Sequence, residues 1–131
     1  MKKIFLLSVL SILMCSCGGT PTEAEIGQYT TIEVNKTYEG GRVAKGEIIE
    51  AKIEVKNTGD YPLVIANIKP ACSCTVSDYD EEPIAPGEST VIEANVDTDE
   101  TGKGSIRKPI TISANTRPST TTVTIKATVI N

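Results

Sequence analysis

The residues best suited to chemistry in this 131-residue chain are four cysteines arranged as two Cys-Ser-Cys triplets. Cys72-Ser73-Cys74, followed by Thr75, lies in the body of the sequence. In an extended segment, residues two apart project to one face with Cα atoms about 6.5 Å apart. That is near the upper limit for a disulfide, and so small a ring would be strained. Such a bond is readily reduced, which suits thiol exchange better than structural cross-linking. Three uses stand open for the candidate thiol pair Cys72 and Cys74: burial or a structural bridge, thiol–disulfide exchange, and capture of cuprous ion by two thiolates.

Other chemistry finds less material. The chain has no histidine, so there is no imidazole to activate a Ser or Cys nucleophile or to act as a general base near neutrality. Structural zinc wants four Cys or His ligands. Asp78, Asp80, Glu81 and Glu82 could supply only oxygens, and with Pro83 they read as a solvated loop. Asp97-x-Asp99-x-Thr101-Gly102 matches the opening of a twelve-residue calcium loop, but Lys108 falls where a bidentate Glu is required. That segment reads as a polar turn. No metal, no cofactor and no catalytic residue is assigned, and the expectation is a protein that is not an enzyme.

The other triplet carries an address. Lys2 and Lys3 precede an apolar run from Ile4 to Met14, which as a helix spans about 16 Å, roughly half a hydrocarbon core. A cleaved export signal fits better than a membrane-spanning helix. Ser16-Cys17-Gly18-Gly19 follows, and the whole resembles a bacterial lipoprotein signal, with Cys17 as the acylated residue and Cys15 as a weaker candidate. The expected organisation is a signal peptide over 1–16, a polar tether over 17–28 and one folded domain over 29–131. Its acyl chains would hold the domain on a membrane of the cell envelope, on the periplasmic or the surface-exposed side.

Composition bounds that domain. Without Lys2 and Lys3 the chain holds 11 basic and 17 acidic residues, a formal charge of −6 that disfavours nucleic acid as a partner. The remaining residues suffice for one core. They contain no Met, Trp or Phe, so Ile, Val, Leu and Ala must pack it.

Their pattern is that of strands. Ile49, Ala51, Ile53 and Val55 alternate with Glu50, Lys52, Glu54 and Lys56, and Val123, Ile125, Ala127 and Val129 alternate with Thr122, Thr124, Lys126 and Thr128. Short β-branched runs at 63–68, 90–96 and 108–113 lie between them. Asn57-Thr58-Gly59-Asp60, Pro86-Gly87, Thr101-Gly102-Lys103-Gly104 and Arg117-Pro118 are turn signals. About seven short strands predict an all-β, immunoglobulin-like antiparallel sandwich. Thr90 to Val96 is expected at an edge, where it could recruit a partner strand.

Asn57-Thr58-Gly59, Pro62-Leu63-Val64-Ile65, Cys72-Ser73-Cys74-Thr75 and Ile84-Ala85-Pro86-Gly87-Glu88 occur in an order that resembles domain-of-unknown-function family 1573. The resemblance runs from about Tyr38 to Val129. It implies an exported immunoglobulin-like sandwich of the major-sperm-protein type. Two positions depart from the family pattern: Gly40 replaces a second aromatic in the opening strand, and Ser73 replaces the glycine between the cysteines. The expected function is a lipid-anchored envelope module, binding or structural, whose protein partner is unknown. The alternative is thiol–disulfide exchange or cuprous-ion handling by Cys72 and Cys74.

Overall fold

The computed structural model describes residues 27–73 and 75–131. Eight strands and one short 3-10 turn occupy them: β1 (Ile32–Val34), β2 (Thr37–Ala44), β3 (Ile48–Asn57), β4 (Ile65–Pro70), β5 (Thr75–Asp78), β6 (Ser89–Asp97), the turn Thr98–Glu100, β7 (Gly104–Ala114) and β8 (Thr120–Ile130). The strands form two four-stranded sheets, ordered β1-β3-β6-β5 and β2-β8-β7-β4. The alternation in β3 and β8 is realised residue by residue. In β3, Ile49, Ala51, Ile53 and Val55 are buried while Ile48, Glu50, Lys52, Glu54 and Lys56 are exposed. The two inner faces close on a core of Ile, Val, Leu and Ala, with Leu63, Ile92, Ile110 and Ile125 fully inaccessible. Truncating any one of these large side chains to Ala costs about 2–5 kcal/mol. Tyr38 and Tyr79 pack against the core from its rim.

The immunoglobulin-like sandwich is as predicted, with two refinements and one correction. Eight strands are present rather than about seven, because β1 and β5 have only three and four residues. One pairing, β2 with β8, is parallel, while the others are antiparallel. The reason lies in the first stretch of chain. It runs alongside the C-terminal stretch, bridging Thr30 to Thr116 before β8 and then pairing β2 with β8 up to Ala44–Ile130, with β1 between them paired to β3. The correction concerns Thr90 to Val96. β6 is an interior strand, paired with β3 along its length and with β5 over Glu93–Val96, so it does not form the edge.

The actual edges are poor templates for strand addition. β1 and β5 are short, and β2 carries a bulge between Glu39 and Arg42. β4 has an irregular register between Ile65 and Asn67 and ends on Pro70. Short, bulged or proline-bearing edges are the devices that block edge-to-edge pairing. The bulge in β2 also explains Gly40. A Cβ there would lie 3.2 Å from Ile49 Cγ2 and 3.3 Å from Ala127 Cβ, so no aromatic side chain fits. Gly41, at φ 70°, is the extra residue. It leaves Arg42 exposed and Val43 packed on the core.

Candidate functional site

The cysteine corner lies where the chain passes from one sheet to the other. β4 ends at Pro70, the Ala71 amide donates to Pro109 O at 3.0 Å, and the Thr75 amide donates to Cys72 O at 3.3 Å. The predicted extended geometry is therefore not adopted at Cys72-Ser73, which forms a turn rather than a strand. The chain bends here, in a turn closed by the Thr75 amide on Cys72 O, as it crosses from β4 in one sheet to β5 in the other. Cys72 is half-buried and disulfide-bonded. Its Sγ lies 3.8 Å from the Thr75 hydroxyl. An oxidised sulfur has no proton to give, so the hydroxyl is the donor. Cuprous ion binds thiolate, so Cys72 would have to be reduced before serving as a ligand. Cys74, Cys17 and Cys15 lie outside the described residues, as do the signal over 1–16 and most of the tether over 17–28.

The acidic segments are spent on turns. Asp78 Oδ1 accepts from the Tyr79 amide, and Asp80 Oδ1 from the Glu82 amide, both at 3.0 Å. Asp97 caps the 3-10 turn by accepting from the Asp99 amide at 2.9 Å. Among the described residues no three His, Cys, Asp or Glu side chains are grouped to hold a metal ion.

The motif residues Asn57, Gly59, Leu63, Ile84 and Gly87 meet in one knot around the buried Asn57, with Gly59 half-buried and Gly87 exposed at its rim. Asn57 is inaccessible to solvent, and each of its polar groups has a partner. Its Oδ1 accepts from the Thr30 hydroxyl at 2.7 Å and the Gly59 amide at 3.1 Å. Its Nδ2 donates to Tyr61 O at 2.8 Å and Ile84 O at 2.9 Å. Its backbone pairs with Glu88 and Gly87, and Leu63 and Ile84 exchange two amide–carbonyl bonds at 2.8 Å. Gly87, at φ 83°, follows Pro86 in a turn closed by the Glu88 amide on Ala85 O. That is the φ > 0 position for which a type II turn selects glycine. Gly59 is required for a different reason: a Cβ there would lie 2.6 Å from the Thr31 amide nitrogen and collide with Thr30 Oγ1.

Two further junctions carried no motif in the sequence. Asn115 Oδ1 accepts from the Val64 amide at 2.7 Å, and its Nδ2 donates to Pro62 O at 2.9 Å and Gln28 O at 3.2 Å. The buried Thr98 hydroxyl donates to Glu47 O at 2.6 Å and accepts from the Gly46 amide at 2.9 Å. No buried side-chain N or O among the described residues lacks a partner. The polar interior thus holds loops to sheets.

The surface hollows are open grooves on the strands. One of about 330 Å³ lies on the outside of the β2-β8-β7 sheet and brings together Arg42, Arg107 and Lys126. These three come from three strands, and only the strand register makes them neighbours: Arg107 stands opposite Lys126, and Arg42 opposite Thr128. No local sequence signal links them.

The comparisons agree with this architecture. A crystal structure of a protein of unknown function from Porphyromonas gingivalis W83 superposes with TM-score 0.69 at 26% identity, covering 83% of this chain and 49% of that one. This chain thus spans about half of that relative. The ASH / PapD-like domain 7 of human CEP192 is similar over 96% of this chain and 98% of that domain, with TM-score 0.62 and 14% identity. A segment of the secreted serine protease VesC from Vibrio cholerae matches with TM-score 0.61 at 11% identity, covering 76% of this chain and 23% of the protease. These last two show the shared fold alone. No curated protein matches the sequence. The model of the family described as protein of unknown function (DUF1573) matches residues 30–129, and with its characteristic turns gathered around the buried Asn57 the chain belongs to that family.

Proposed function

We propose that the chain is a non-enzymatic, immunoglobulin-like binding or structural module, carried on a membrane of the bacterial envelope by lipid on Cys17 and presenting its sheet faces to a partner. The observation that carries this reading is the deployment of the polar interior. Asn57, Asn115 and Thr98 are satisfied mainly by backbone groups of neighbouring loops, which leaves none of these buried polar side chains free to act as acid, base or nucleophile. Catalysis needs such groups held within reach of one reacting atom. The similarity to PapD-like domains supports a module that works by contact. Such an inference from fold is by class only.

The anchor is supported by the Lys2-Lys3, apolar-run and Ser16-Cys17-Gly18 pattern. Intact mass of the protein extracted from membranes tests it. The expected mass corresponds to a chain beginning at Cys17 and carrying acyl groups. A chain with its first sixteen residues intact and no acyl mass would refute the anchor. Thiol counting on the same sample, with and without reductant, reports the oxidation state of Cys72 and Cys74.

A further inference from the structure

Resting on the binding-module reading and naming its ligand class, we propose that the outer face of the β2-β8-β7 sheet binds an acidic polysaccharide through Arg42, Arg107 and Lys126. Arg107 and Lys126 are direct cross-strand partners, a placement of like charges that opposes folding. Among the described residues, Glu39, 3.8 Å from Lys126 Nζ, is the one carboxylate paired with them. The β2 bulge adds Arg42 to the same face; in a regular strand of the same sequence that side chain would turn to the core. With strands about 4.8 Å apart and about 3.4 Å per residue, the backbone positions of the three cations lie within about 12 Å of one another. That is about one Debye length at 0.1 M salt, so a single anionic segment experiences all of them.

This clustering occurs in a chain of formal charge −4. Across the sandwich, the outer face of β3 and β6 is of mixed charge, with Glu50, Glu54 and Glu93 exposed beside Lys52 and Lys56 and Lys52 paired with Glu93. The cationic face therefore does not follow from overall composition.

The surroundings of the cations select among polyanions. Thr124, Thr128 and Ser105 stand beside them on the sheet, offering hydroxyls suited to a hydrated, hydroxyl-rich chain. The exposed large hydrophobics, Tyr29, Ile48, Tyr61 and Val91, are on other parts of the molecule. A protein partner, including a second copy, would need an apolar or aromatic centre on this face. Single-stranded nucleic acid would need stacking aromatics.

Binding of fluorescent polygalacturonate and heparin oligosaccharides to the purified domain tests the proposal. Binding to at least one is expected at about 20 mM NaCl, weakening at least about tenfold by 200 mM. The R42Q/R107Q/K126Q variant should lose about tenfold in affinity at low salt, whereas K52Q/K56Q on the opposite face should bind like the parent. Should the triple variant not fold, R42Q alone, at an exposed position, is expected to weaken binding about threefold. No binding at low salt, unchanged binding by the folded variants, or tighter binding to single-stranded DNA, polyglutamate or phosphatidylserine vesicles would overturn it. Loss of glycan binding leaves the Cys17 mass unaffected, so the two readings fail separately.

Discussion

Single residues in the Asn57 knot hold together stretches of chain far apart in sequence. Losing a buried amide that serves four partners leaves carbonyls and donors stranded at about 1–3 kcal/mol each, so the Asn-Thr-Gly motif is explained by architecture. Its glycine gives the cleaner test. Gly59→Ala forces a Cβ into Thr30 and the Thr31 amide, and should lower stability by about 2–3 kcal/mol. Gly102→Ala meets nothing within 4 Å and should be neutral or stabilising by up to about 1 kcal/mol. Urea denaturation of both variants decides it; equal effects would contradict the close approach. The motif was legible as a turn because Asn and Gly announce one. That its side chain is buried with every hydrogen bond made was not, since the partners Thr30 and Ile84 are both 27 residues away.

At the scale of elements, legibility followed the strength of alternation. β3 and β8 are plain in the sequence because β3 buries every second residue over its ten positions and β8 does so from Val123 to Val129. β1 and β5 were not, being too short to show a period, and β2 hid behind Gly40 and Gly41. β6 was found as a strand but misplaced at an edge, because local pattern does not reveal how many neighbours a strand has. Spacing alone predicts an extended cysteine corner, and the turn closed by Thr75 on Cys72 where the chain changes sheets overrides it. The bulge yields a less intuitive expectation. Removing Gly41 keeps Arg42 outside and Val43 inside, so the deletion should change stability by less than about 1 kcal/mol. Gly41→Val keeps the bulge but places a β-branched residue at φ 70°, at a cost of about 1–2 kcal/mol. Thermal melts that reverse this order would show that the extra residue is not where strain is relieved.

For the whole molecule, four of the six strand pairings join elements that are not consecutive in the chain. β2 meets β8 across some eighty intervening residues, and Thr30 bonds to Asn115. Such a topology must close long loops before contacts stabilise it. Stopped-flow refolding is expected in the millisecond-to-second range, and a microsecond phase carrying the full amplitude would contradict it.

The parallel arrangement of the first and last long strands has a mechanical consequence. A pull applied between the two ends of the domain draws β2 and β8 in opposite directions along their common axis. Their ladder, from Thr37–Thr124 to Ala44–Ile130, is then loaded in shear, with its bonds sharing the force instead of opening one after another. A domain tethered at one end and tugged at the other would yield late and abruptly.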